Sequence, residues 1–148
     1  MVNVESKLEP MPVAAALVED AAVKTLTYEA VAGDLTILLS DDAQVRELNR
    51  QYLGIDAPTD VLSFPAGEAD PDTGVTYLGD VIISVPQAGA QARAAGHALE
   101  AEVQLLVVHG VLHLLGHDHA QTEAKGRMWA AQTEVLNQLG LRDMVIRE

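Results

Sequence analysis

The sequence predicts an α/β (α+β) fold, a single-domain layer sandwich in which a small mixed sheet packs against helices. Its 148 residues are enough for one compact domain and too few for two comfortable ones. Hydrophobic residues make up 49% of the chain, which is enough to bury a core. Strand-like and helix-like segments are intermixed without strict βαβ alternation, and this order favours a layered arrangement. We therefore expect residues 1–148 to form one domain.

Four elements are predicted in the first part of the chain from alternation, helical periodicity and capping residues. They are a short strand around Val2 and Val4, a helix over residues 13–26 opened by Pro12, a strand over residues 35–40, and a helix through Val45, Leu48 and Tyr52. Asp41 or Asp42 can cap the second helix, because a short carboxylate accepts a bond from an unpaired backbone N–H. Gly54 can end that helix.

The rest of the chain adds two strands and three helices. They are an edge strand over residues 58–65, a strand over 77–84, a helix opened by Ser84 and Pro86, an apolar helix over 97–115, and an amphipathic helix over 122–139 that Gly140 ends. Prolines at both ends of the first strand suit a sheet edge, because proline cannot donate to a ladder. Residues 67–76 are acidic and rich in turn residues, which is typical of a mobile loop. The helix over 97–115 is hydrophobic on nearly every side, which predicts that it is buried.

Composition excludes several classes of function. Aromatic residues make up only 3% and cysteine is absent, which excludes a stacked aromatic platform, disulfides and thiolate chemistry. The formal net charge is −13, so binding nucleic acid or anionic lipid would require a local basic patch. Residues 1–18 lack a targeting signal, and no apolar run approaches the roughly 18 residues that span a membrane. We expect a cytoplasmic protein with no membrane partner.

Four of the five histidines fall between residues 109 and 119. On a helix, His109 and His113 lie about 40° apart around the axis and about 6 Å along it, so both imidazoles can reach one metal ion. Gly116 suits the end of the helix, and the reversed chain can bring back His119. Three histidines and one open position are the ligand set of catalytic zinc. The spacing predicts one Zn²⁺ per chain, held by His109, His113 and His119 at the end of a buried helix.

Other interpretations of this cluster stay open at the level of the sequence. A single histidine in an apolar helix is most often a core residue with satisfied hydrogen bonds, although burying three without a shared partner is costly. His117 is an alternative third ligand. Asp118 is expected to accept a hydrogen bond from a ligating histidine or to form part of the turn, in preference to binding the metal itself. Glu102 falls on the same helix face as His109, where it either hydrogen-bonds the second nitrogen of a ligand or only solvates the helix.

The spacing is also shared by zinc peptidases with the pattern His-x₃-His-x₂-Gly-x₂-His. In those enzymes a glutamate directly after the first histidine acts as the general base. Here that position is Gly110, which has no side chain. A peptidase built on this chain would therefore lack its usual base.

Three segments resemble the motifs of the YbeY family of metal-dependent endoribonucleases. Residues 109–119, HGVLHLLGHDH, resemble its HGxLHLxGxDH signature. Residues 48–65, with LN, Tyr52 and GIDAPTDVLSFP, resemble a second motif, and residues 78–84, LGDVIIS, resemble a third. The resemblance runs in order over residues 45–139.

The resemblance implies an α/β domain whose sheet and helices surround a zinc held by three histidines. It implies cleavage of single-stranded RNA in the 3′-end maturation of 16S ribosomal RNA, the small-subunit RNA, and in ribosome quality control. It also implies contact with small ribosomal subunit proteins or with an assembly GTPase.

Two positions depart from the family pattern. The family usually has an arginine, thought to serve catalysis, directly after Tyr52, and here that position is Leu53. Apart from a water activated by the zinc, the catalytic group is therefore unassigned. Arg50 is the candidate for binding the substrate, and Arg46 and Arg93 are the other cations that could approach a phosphate. The second departure is milder, since His117 stands where the family generally has tyrosine.

Two further functions stay open beside the nuclease. One is a ribosome-assembly factor whose zinc is largely structural, which Leu53 and the acidic charge favour. The other is another zinc hydrolase of the metallopeptidase type, against which Gly110 argues.

Overall fold

A mixed sheet of four strands lies at the centre of the computed structural model, which describes residues 1–117 and 121–141. The strands are β1 (Val2–Ser6), β2 (Asp34–Ser40), β3 (Val61–Ala69) and β4 (Thr76–Ser84). Their order in the sheet is β1-β2-β4-β3. β1, β2 and β4 are parallel, and β3 pairs antiparallel with β4 at the edge. The predicted small mixed sheet and the edge position of the proline-flanked strand are confirmed.

Five helices surround this sheet within the described ranges. They are α1 (Ala15–Glu29), α2 (Asp42–Leu53), α3 (Val85–Ala95), α4 (Leu99–Leu114) and α5 (Thr122–Gln138). α1, α3 and α4 cover one face of the sheet, α5 packs against α4 and α1, and α2 covers the opposite face. Alternation along β4 follows from this, since Val81 and Ile83 enter the larger core and Ile82 faces α2. None of the described helices combines the length and apolarity needed to cross a bilayer.

Both ends of α2 carry the capping residues that the sequence predicts. The Asp41 carboxylate accepts a hydrogen bond of 2.8 Å from the backbone N–H of Gln44. This bond, together with Lys7 at 3.3 Å, lowers the pKa of the Asp41 carboxyl. Gly54 ends the helix with a φ of +72°, a conformation that glycine adopts at little cost. These caps fix the last turn of α2 and therefore the position of Leu53.

The central helix α4 is buried along almost its whole length. Between Glu102 and Leu114 every residue is buried except His109 and His113, which are partly exposed. The buried apolar helix that the sequence predicts is therefore confirmed, although it begins at Leu99 and not at residue 97. Because the rest of the helix surface is covered, the two histidines mark the face on which α4 opens to solvent.

Gly110 brings α4 into close contact with the sheet. A Cβ atom at this position would lie 2.6 Å from Cγ1 of Val81 and 3.1 Å from Cγ2 of Val61. The Ser63 hydroxyl donates a hydrogen bond of 2.7 Å to the carbonyl oxygen of Gly110. Real Cβ atoms do not approach other carbons so closely. α4 can therefore lie this close to the sheet only because residue 110 is a glycine.

The expected loop over residues 67–76 is wrong at both ends. β3 continues to Ala69 and β4 begins at Thr76, so residues 70–75 form the connection of a β-hairpin. The register shifts between Pro65 and Glu68, where Gly67 has a φ of +72°. This irregularity allows the antiparallel pairing of β3 with β4 to resume beyond Pro65. The turn residues in the sequence do not predict that continuation.

We predict that Gly110→Ala destabilises the protein although alanine is the better helix former. The favourable helix propensity is about 1 kcal/mol, whereas crowding a packed core costs about 1–3 kcal/mol. Val81 is β-branched and its side chain has little freedom to move aside. A lower melting temperature in thermal denaturation checks this expectation.

Gly126→Ala in α5 is the matched control. No atom lies within 4 Å of a Cβ built there, so alanine should stabilise by roughly 0.5–1 kcal/mol. Equal stabilisation by the two substitutions would contradict a tight contact between α4 and the sheet.

Candidate metal centre

The imidazoles of His109 and His113 converge on one point beside α4. Their Nε2 atoms are 3.1 Å apart, and their ring centroids are separated by 4.6 Å. Two ligand nitrogens on a tetrahedral zinc, each at 2.0–2.1 Å, are about 3.3–3.4 Å apart. The pair therefore fits a shared metal ion, as the spacing of four residues on a helix predicts.

Gln132 of α5 meets the other nitrogen of His109. Its Oε1 lies 2.5 Å from Nδ1 of His109, and its side chain is fully buried. Since an amide oxygen can only accept, the proton of this hydrogen bond is on Nδ1. His109 is thereby left with Nε2 as its unprotonated nitrogen, which is the atom that faces His113.

His119, the expected third ligand, and Asp118 lie outside the described residues. Within residues 1–117 and 121–141, no group of three or more potential ligands is assembled. Gly116 lies two residues beyond the end of α4 and has a φ of +99°, a conformation that suits glycine at the end of a helix. The side chain of His117, the alternative ligand, forms a short hydrogen bond with the carboxylate of Glu29 on α1.

Glu102 has a partner other than a metal-ligating histidine. Its Oε1 lies 2.6 Å from Nε2 of His97, and its side chain is completely buried. The second nitrogen of His109 meets Gln132 and not Glu102. Glu102 instead joins the start of α4 to the segment that follows α3.

The histidine pair lines an open cavity of about 560 Å³. Its walls come from the end of α2, the start of β3, and one face each of α3, α4 and α5. Asp60 is the charged residue among the described lining groups, and it accepts a hydrogen bond of 3.3 Å from Nε2 of Gln91. No arginine or lysine of the described ranges lines this cavity. The ionisable groups of the described lining are the two histidines and one carboxylate. A bound cation would therefore have to supply the positive charge that stabilises a phosphate in this cavity.

Leu53 lies on the wall of the same cavity. Its side chain is 57% exposed and comes from the last turn of α2. The neighbouring Tyr52 is 66% exposed, and its ring contacts Phe64 edge to face at 5.4 Å. Leu53, the position at which the resemblance implies an arginine, thus lines the same cavity as His109 and His113.

The three candidate arginines are not among the cavity-lining residues. Arg50 is bound by Glu47 on α2, with its Nε donating at 3.1 Å. Arg46 donates to Asp56 at 2.8 Å, and this partner raises the pKa of the guanidinium further. Arg93 is exposed in the last turn of α3. The structure does not bring any of these side chains to the histidine pair.

Gln132 and Asp60 are the residues of the cavity that sequence reasoning missed. A signal for Gln132 exists, since it falls on the buried face of α5 together with Met128, Ala131 and Val135. A polar side chain on such a face needs a hydrogen-bond partner in the core. The signal for Asp60 is its place in the motif GIDAPTDVLSFP, since a carboxylate beside a proline-rich turn is otherwise ordinary at a protein surface.

An α/β fold with two histidines converging beside an open cavity is compatible with a metal-dependent hydrolase. The family model described as endoribonuclease YbeY matches residues 3–140, and the chain belongs to this family.

Three relatives named "Endoribonuclease YbeY" illustrate the similarity. That of Roseiflexus sp. is 47% identical over 134 residues, which cover 85% of this chain and 84% of the relative. That of Moorella thermoacetica is 49% identical over 77% of this chain and 79% of the relative. That of Carboxydothermus hydrogenoformans is 42% identical over 94% and 95%.

A solved structure has a similar fold. The solution structure of TM1509 from Thermotoga maritima superposes with a TM-score of 0.60 at 25% sequence identity. The superposition covers 95% of this chain and 92% of that protein. The architecture described above is therefore shared along almost the whole of both chains.

Proposed function

We propose that the chain is a zinc-dependent endoribonuclease that cleaves single-stranded RNA. Its substrate is ribosomal RNA, which it cleaves in 16S 3′-end maturation and in ribosome quality control in the cytoplasm. It acts there as a single domain, alongside small ribosomal subunit proteins or an assembly GTPase. The observation that carries this proposal is the convergence of His109 and His113, with Nε2 atoms 3.1 Å apart, on an open cavity in a chain of this family.

His109, His113 and His119 would hold the zinc. When bound, zinc supplies a Lewis acid for a phosphoryl oxygen and lowers the pKa of a water molecule towards neutrality. Burial of α4 on its other faces holds the two described ligands in a fixed orientation before the metal arrives.

The remaining groups of the cavity position the substrate and exchange protons. Asp60 is a carboxylate held by Gln91 at 3.3 Å, and it can accept a proton inside the cavity. The same negative charge repels a phosphodiester, so entry of RNA requires the ligand site to carry its cation. The exposed apolar surface of Tyr52 and Leu53 offers a nucleobase a place to pack.

We predict that His119→Ala abolishes stoichiometric zinc binding and that His117→Ala does not. The reason is that the His117 side chain is engaged by Glu29 on α1, whereas the sequence spacing assigns the third ligand position to His119. Metal analysis of desalted proteins measures the zinc content per chain. Loss of zinc in His117→Ala with full zinc in His119→Ala would reverse the assignment of the third ligand.

We predict that the wild-type chain cleaves single-stranded RNA weakly and in a metal-dependent manner, and that Leu53→Arg is at least about tenfold faster. Removing one donor that meets developing charge typically costs about 10²–10³ in rate, and leucine cannot donate to a phosphate. Because Leu53 is 57% exposed, the substitution should leave the melting temperature unchanged. Initial rates on a labelled unstructured RNA measure the gain.

Leu53→Met is the control for side-chain length without charge, and its rate should equal that of the wild type. A wild type that is as fast as Leu53→Arg would mean that another cation acts, with Arg50 the first to substitute. Absence of cleavage by both zinc-loaded proteins would contradict the nuclease.

An assembly factor with a structural zinc is the second candidate function. The observation that favours it is the absence of arginine and lysine from the described lining of the cavity. A peptidase is disfavoured, because position 110 is a glycine and does not supply the glutamate that acts as general base in such enzymes. Incubation of the zinc-loaded protein with casein separates this third function from the other two.

A further inference from the structure

We propose that Gln132 is a positioning residue that selects the metal-binding tautomer of His109. The inference rests on the proposed function only in that His109 is a metal ligand. Gln132 lies on a different helix from the histidine pair, 23 positions along the chain from His109. It would therefore make the ligand geometry depend on the docking of α5.

The hydrogen bond itself is the first support. Oε1 of Gln132 lies 2.5 Å from Nδ1 of His109, and the Gln132 side chain is fully buried. Its neighbours on the buried face of α5 are Met128, Ala131, Val135 and Leu136. The Gln132 oxygen is therefore held beside Nδ1 by the packing of α5, and this hydrogen bond favours a proton on Nδ1.

Tautomer choice decides whether His109 can bind a metal through the nitrogen that faces His113. A neutral imidazole carries its proton on Nδ1 or on Nε2, and only the unprotonated nitrogen has a lone pair for a metal. An acceptor beside Nδ1 stabilises the proton there and leaves Nε2 free of it. The Gln132 oxygen is such an acceptor.

The other end of the same amide has no described partner that competes with this contact. Nε2 of Gln132 is buried and has no hydrogen-bond partner among the described residues. An amide turned by half a rotation would place a donor against Nδ1 and favour the proton on Nε2, so the proposal requires the orientation with the oxygen on Nδ1. An ionised carboxylate at this position only accepts and would support only the metal-binding tautomer.

The test compares Gln132→Met, which keeps the length of the side chain and is only a weak acceptor, with Gln132→Glu, which only accepts when it is ionised. The tautomer of His109 is measured in the metal-free proteins by long-range ¹H–¹⁵N NMR, with His109→Ala identifying the signals. Zinc affinity is measured by competition with a chromophoric chelator. We expect wild type and Gln132→Glu to carry the proton on Nδ1, and Gln132→Met to move it towards Nε2 and to bind zinc about 10–100-fold more weakly.

Gln104→Met is the matched control for loss of a buried amide. Gln104 lies on the same helix as the histidines, is 7% exposed, and donates a hydrogen bond of 3.0 Å to the carbonyl oxygen of Leu17. This variant should lose thermal stability while keeping the tautomer and the zinc affinity of the wild type. An equal loss of affinity in Gln104→Met and Gln132→Met would reduce Gln132 to a packing role and overturn the proposal.

An unchanged tautomer in Gln132→Met would also overturn it. If Gln132→Met does not fold, Gln132→Glu decides, because weaker zinc binding in that folded variant contradicts a requirement for an acceptor. None of these measurements uses RNA, so their failure is distinguishable from failure of the nuclease. Conversely, a protein that cleaves no RNA can still show the expected tautomer and affinities.

Discussion

The close packing of α4 on the sheet is the constraint on which the rest of this structure depends. Gly110 allows the helix to approach until a Cβ atom would lie 2.6 Å from Val81, and the Ser63 hydroxyl holds the helix there through the Gly110 carbonyl. The surrounding helices cover the remaining surface of α4 and leave its histidine face beside a cavity. Rigid burial of this kind presents ligands in one orientation, which a site on a loop does not achieve.

That constraint leaves the histidine pair as the partly exposed face of an otherwise buried helix. The two imidazoles contact each other, and Gln132 contacts Nδ1 of His109. A shared cation would satisfy both Nε2 atoms at once and would supply the positive charge that the described cavity wall lacks. Because the protein has a net charge of −13, it repels the RNA backbone, and binding of RNA depends on the positive charge that a metal ion would bring to the cavity.

The sequence predicts those parts of the fold and site that depend on local chemistry. Asp41 and Gly54 are recognisable as caps because each acts within one helical turn, and the spacing of His109 and His113 follows from helical geometry. Contacts between distant segments are not predictable in this way. The bond from Gln132 to His109 requires α5 to dock on α4, and the extension of β3 past Pro65 requires a register shift that only pairing with β4 determines.

X-ray absorption at the zinc edge of the zinc-loaded chain tests the central claim most directly, because it reports the ligands without reference to activity. We expect three imidazole nitrogens at about 2.0–2.1 Å from the zinc, together with the outer scattering of intact imidazole rings. A shell made only of oxygen ligands would contradict it, since the convergent nitrogens of α4 would then not be the groups that hold the metal.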